Sequence, residues 1–178
     1  MKGFTLVELI VSLALVAIIT LIGVMNFTDY NEKKLLQTEV DGLAQELQEL
    51  KVLAFSGQKI NSDIPEAYCL FKEQEGYKVF ADMDGDLEQT SKDELLKTIE
   101  YGRGVQTHWP KGDFRMSLID GYGVCFMVTT DMNNVCGAML LDCGENYDYI
   151  YPLEGVKTGE VREVRVNMFN GNIIILED

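Results

Sequence analysis

Three sets of residues have the types and spacing to do chemistry. A lone carboxylate, Glu8, stands at the edge of the apolar run in MKGFTLVELIVSLALVAIITLIGV. Asp82, Asp84, Asp86 and Glu88 alternate, with Asp93 and Glu94 beyond them. Cys69, Cys125, Cys136 and Cys143 are the four cysteines. A carboxylate within a membrane segment costs about 2.5–3.5 kcal/mol at the bilayer centre and less near the edge, so such a group calls for a partner. Alternating oxygen ligands converge on a hard cation when the chain loops around it. Asp82 and Asp93 do stand first and twelfth, as in a calcium loop. However, Gly85 is fourth rather than sixth, and the twelfth residue is Asp rather than Glu. A solvated acidic turn is the expectation, with calcium on Asp82, Asp84, Asp86 and Glu88 as the alternative.

The cysteines form no CxxC pair and accompany one histidine, which makes zinc a poor fit. Four cysteines allow three pairings. Cys125 and Cys136 flank an expected hairpin and could face each other across it, with Cys69 left to Cys143. Four buried free thiols are the alternative. His108 has no nearby serine or cysteine nucleophile, so His108-Trp109-Pro110 reads as loop packing. No GxSxG, HExxH or P-loop occurs, and an enzyme is not expected.

The elements that must position these groups follow from pattern. A chain of 178 residues suits one N-terminal element and one modest globular domain. At 47% hydrophobic, with one tryptophan, eight tyrosines and eight phenylalanines, it is not a disordered chain. The formal charge of -14 repels nucleic acid phosphates and anionic headgroups and attracts divalent cations. From Phe4 to Phe27 the sole ionisable residue is Glu8. As a helix that segment spans about 36 Å, enough to cross a ~30 Å hydrocarbon core. A cleaved secretory signal fits poorly, because the positive region is only Lys2 and no small-x-small site precedes a mature domain.

Gly3-Phe4-Thr5-Leu6-Val7-Glu8-Leu9-Ile10 resembles the cleavage and methylation motif of type IV prepilins and pseudopilins. The resemblance implies a cut between Gly3 and Phe4 by a prepilin peptidase on the cytoplasmic side. It further implies N-methylation of the new Phe4 amine. Glu8 falls at the fifth mature position, where the family's glutamate pairs with the N-terminal amine of a neighbouring subunit.

No proline occurs between Met1 and Ile64, so the helix can continue into water. Leu36, Val40, Leu43, Leu47, Leu50 and Ala54 form one apolar stripe at spacings of four and three. Its expected partner is the chain's own C-terminal domain, and Ser56-Gly57 is its expected end. Gly23 and Gly42 are weak points where a bend is conceivable. Beyond Gly57 the pattern becomes strands: 68–72 and 77–81 around Gln74-Glu75-Gly76, then 114–119, 124–130 and 135–141. A final hairpin uses Val164, Val166 and Met168, a two-residue Asn170-Gly171 turn, and a return over 172–176. Residues 93–99 fit a short helix or a strand.

The fold class is therefore α+β and pilin-like, one long N-terminal helix packed on a C-terminal antiparallel β-sheet domain. Its expected divisions are a leader remnant at 1–3, a transmembrane and filament-core helix at 4–27, an amphipathic helix at 28–57, and a β-rich domain at 58–178. A second resemblance, in YKVFADMDGDLEQTSKDELLKTIEYGRGV at 77–105 and in the terminal hairpin, is to GspH/FimT-like minor pilins and pseudopilins.

These resemblances imply a structural subunit of a type IV-like filament, either a type IV pilus or the pseudopilus of a type II secretion system. Implied partners are other pilins, the prepilin peptidase, an inner-membrane platform protein and membrane lipid. The implied location is a single pass through the inner membrane, with the C-terminal domain outside the cytoplasm, and then the filament. Outside the cytoplasm disulfides persist. One alternative is a DNA-binding minor pilin of natural transformation, disfavoured because Arg162 and Arg165 alternate with Glu160 and Glu163. Another is a membrane-anchored protein that never polymerises.

Overall fold

The computed structural model describes residues 5–73, 75–87, 89–107, 123–128, 135–138, 148–167 and 171–177. Helix α1, Leu6–Ser56, runs unbroken through Gly23 and Gly42. Its 51 residues give a length of about 77 Å. Gly57 ends it in the left-handed conformation at φ 58°, and its N–H donates to the Ala54 carbonyl. Glycine adopts that conformation without a Cβ clash, which is why the helix stops there.

Among the described residues nine strands follow: β1 Ala67–Glu73, β2 Gly76–Asp82, β3 Glu94–Glu100, β4 Val105–Thr107, β5 Gly123–Met127, β6 Val135–Ala138, β7 Asp148–Gly155, β8 Val161–Asn167 and β9 Ile173–Glu177. They form two antiparallel sheets, ordered β3-β2-β1-β5-β6 and β4-β7-β8-β9. This is the expected α+β, pilin-like arrangement.

The helical stripe explains how the sheets are held. Leu36, Val40, Leu43, Leu47, Leu50 and Ala54 are all buried. They share one core with Tyr68, Leu70, Val79, Val124 and Phe126 of the first sheet and Tyr151, Leu153, Val164 and Val166 of the second. Alternation puts Cys69, Phe71, Phe80 and Cys125 on the first sheet's other face, in a second apolar cluster. Polar bonds tie the layers. The Tyr151 hydroxyl donates to the Leu70 carbonyl at 3.0 Å, and the Thr107 hydroxyl to the Glu73 carbonyl at 2.8 Å. Lys97 of edge strand β3 pairs with Glu46 and Glu49 of the helix.

Of the two alternatives at 93–99 the strand holds, as β3 at Glu94–Glu100. Other expectations are corrected. The terminal hairpin pairs Val166 with Ile173, and the Asn167 N–H donates to the Asn172 carbonyl. This register sets Asn172 opposite Asn167, whereas an Asn170-Gly171 turn would set it opposite Phe169; residues 168–170 lie outside the described residues. Gly171, at φ 62°, donates to the Asn167 carbonyl. Strands β4 and β7 were not anticipated. The expected strand at 114–119 and the His108-Trp109-Pro110 loop lie outside the described residues.

Candidate assembly site on the N-terminal helix

The helix begins with a reciprocal cap. Thr5 is the N-cap, and its hydroxyl accepts the Glu8 N–H at 3.3 Å. The Glu8 carboxylate accepts in return from the Thr5 N–H at 2.9 Å and the Thr5 hydroxyl at 2.8 Å. The spacing T-x-x-E is the signature of this capping box. It was present in the sequence and escaped the reading of Glu8 as a charge needing a partner. The Thr5 N–H belongs to the peptide bond with Phe4, so the cap holds the carboxylate next to the proposed mature terminus. Gly3 and Phe4 themselves lie outside the described residues.

Along the next turns every described side chain is exposed, among them Leu6, Leu9, Leu13, Val16, Ile19 and Leu21. The hydroxyls of this stretch bond back into the helix, Ser12 to the Glu8 carbonyl at 2.7 Å and Thr20 to the Val16 carbonyl at 2.8 Å. A segment that satisfies its own polar groups and exposes mostly apolar surface suits a non-aqueous or protein-packed setting. Among the described residues, no helix is long and apolar enough to cross a membrane.

The character changes at Glu32, a buried carboxylate. It accepts the Lys157 N–H at 2.7 Å and the Thr158 N–H at 3.1 Å, in the turn between β7 and β8. Seven residues on, Glu39 accepts the Gly102 N–H at 3.0 Å. These carboxylates fix the two nearest loops to the helix, so the sheets start where the bare apolar half stops.

The acidic loop converges as its alternation implied. Asp82, Asp84 and Asp86 bring one oxygen each within 4.8 Å of one another. Their oxygens already have partners. The Asp82 carboxylate accepts from the N–H groups of Asp84, Gly85 and Leu87, at 3.1, 2.7 and 3.0 Å. Burial nevertheless raises its pKa above the ordinary carboxylate value, against the lowering effect of those bonds. Lys92 pairs with Asp84 and holds that carboxyl below its ordinary pKa. Asp93 accepts from the N–H groups of Met83 and Thr90. The cluster is a closed acidic loop carrying its own cation. Glu88 lies outside the described residues.

The structure corrects the cysteine pairing. Cys69 and Cys125 form the disulfide, with a Cα–Cα distance of 4.0 Å. Strand β5 lies between β1 and β6, so Cys125 stands in register with Cys69 on one side and Cys136 on the other. The short distance marks Cys69–Cys125 as a non-hydrogen-bonded pair, where side chains are closest. The backbone of Cys125 then points to β6, and its pair with Cys136 is the wider, hydrogen-bonded kind. Sequence reading identified the correct hairpin but not the strand on its far side. Cys143 lies outside the described residues.

The arginines of β8 are neutralised by glutamates two residues before them. Arg162 binds Glu160 at 3.0 Å and Arg165 binds Glu163 at 2.7 Å.

Comparison with known proteins bears on the same end of the chain. Residues 1–24 match the prokaryotic N-terminal methylation motif. That motif at the head of a long helix packed on antiparallel sheets supports a type IV pilin-like protein. The motif implies processing by a prepilin peptidase and assembly with other pilins. No curated protein and no solved structure matches the chain.

Proposed function

We propose that the protein is a minor pilin or pseudopilin of the GspH/FimT-like kind. In this reading it is a structural, non-catalytic subunit that enters a type IV pilus or a type II secretion pseudopilus through its N-terminal helix. The observation that carries the reading is the helix itself. A capped carboxylate at Glu8, within a methylation motif, leads a fully exposed apolar stretch. A folded monomer leaves such a surface bare only when something else covers it.

In the proposed sequence of events, residues 4–27 first lie across the inner membrane, with the sheet domain outside the cytoplasm. The peptidase cuts between Gly3 and Phe4, and the Phe4 amine is methylated. An inner-membrane platform protein receives the subunit, and the apolar surface passes from lipid to neighbouring helices. Glu8 then exchanges its Thr5 bonds for the ammonium of a neighbour, which offsets the burial of both charges. The paired arginines of β8 offer little to DNA phosphates, which favours the filament reading over DNA binding.

Mass analysis of the N-terminal peptide, from cells with and without the peptidase, tests the processing. A peptide that starts at N-methylated Phe4, only when the peptidase is present, is the expected result. A chain that keeps Met1–Gly3 in both strains contradicts it.

A further inference from the structure

We propose that the loops at 102–104 and 155–159 form a foot that binds phospholipid phosphate groups through Arg103 and Lys157. The inference rests on the reading of residues 4–27 as a membrane span. Its first support is position. Thr28, the residue after the apolar segment, lines one notch with Asn31, Arg103, Val156 and Lys157. Glu32, which fixes the 155–159 turn, is only about 7 Å up the helix axis from Phe27. The loop tips therefore stand where the helix leaves hydrocarbon and enters the headgroup layer.

The second support is rigidity. The Val156 N–H donates to the Gly104 carbonyl at 2.8 Å, which joins the two loops. Gly104 adopts φ +95°, a conformation open to glycine, and a Cβ there would lie 3.4 Å from the Glu32 carboxylate. The foot is thus anchored to the helix rather than hanging free.

The third support is charge. On a chain of net charge -14, acids are plentiful, and Lys33, Lys78, Lys92, Lys97, Arg162 and Arg165 all have carboxylate partners. Arg103 and Lys157 are exposed and have no ion-pair partner among the described residues. Glu32, in the same notch, is turned to the backbone N–H groups. Lys157 also lines a neighbouring hollow with Asp29 and Glu160, and Glu160 is held by Lys33 and Arg162. A guanidinium fork and an ammonium lining one notch suit phosphate oxygens. Val156, 56% exposed, adds an apolar tip at the same level. The overall negative charge repels an anionic bilayer, and this foot gives the domain one attractive point of contact.

The test uses the full chain in nanodiscs of mixed phosphatidylglycerol and phosphatidylcholine. One preparation carries a phospholipid with a photoreactive headgroup, another a phospholipid with a photoreactive acyl chain. Acyl-chain adducts are expected within 6–27 and headgroup adducts at 102–105 and 155–158. Arg103→Gln with Lys157→Gln should lower the headgroup adducts at least about fivefold, since each surface cation near anionic lipid counts for about that factor. The acyl-chain adducts and the Tm should stay unchanged. Headgroup adducts missing from the loops, or undiminished in the double variant, overturn the foot and leave the membrane reading intact. Missing acyl-chain adducts overturn both.

Discussion

In the single chain the Glu8 carboxylate accepts the Thr5 N–H and hydroxyl. In the proposed filament those bonds give way to a neighbour's ammonium. The cap keeps the charge satisfied while the subunit waits. The T-x-x-E spacing was legible in the sequence; the second partner is not visible in one chain. Lys72 shows what burial does to a charge. It is buried at the end of β1, with its ammonium 5.8 Å from the Tyr149 ring centroid. Burial lowers its pKa from 10.5 to about 8. The folded state therefore carries the burial penalty in full below pH 8, and it fades as pH rises toward 10.5. Lys72→Met should be more stable than the parent at pH 7, by up to about 3 kcal/mol. That advantage should vanish above pH 10.5, and urea unfolding at the two pH values measures it. Equal stability at pH 7 contradicts the penalty.

One helix contains two kinds of leucine. The six-residue stripe was legible because spacings of four and three leave a single face, and all six side chains are buried. Strand β7 was missed although Tyr149, Tyr151 and Leu153 alternate; Pro152, which cannot donate to a ladder, interrupts the pattern. Strand β4 is only three residues long and gives too little pattern to identify. The register of the terminal hairpin was misjudged because Asn170-Gly171 was given the weight of a two-residue turn, whereas Val166 pairs with Ile173. Leu43 packs in the common core, whereas Leu13 is 62% exposed. Leu43→Ala should cost about 2–5 kcal/mol of domain stability. Leu13→Ala should leave the domain's Tm in detergent unchanged and weaken only assembly. A matching loss of Tm for Leu13→Ala contradicts the division of the helix.

The whole molecule is a helix longer than its domain, with two sheets fastened to one half of it. The covalent link Cys69–Cys125 joins positions 56 residues apart and fixes β5 beside β1. A closed loop of that size restricts the unfolded chain by about 4 kcal/mol. Replacing both cysteines with alanine should lower stability by about 2–4 kcal/mol. A non-reducing peptide map should show Cys69 linked to Cys125, and a Cys125–Cys136 link contradicts the register account. The bridge lay beyond sequence reading because β1 and β5 are distant in the chain and pair only in the folded sheet.

The central claim is that the charge of Glu8 drives incorporation into a filament. Glutamine preserves the capping box and removes only the charge. The most direct measurement is the amount of Glu8→Gln subunit in purified filaments, relative to the amount in the membrane. A normal membrane level with incorporation reduced at least about tenfold is the outcome expected from leaving a neighbour's buried ammonium unpaired. Incorporation equal to the parent would mean that Glu8 serves only its own helix, and would contradict the account.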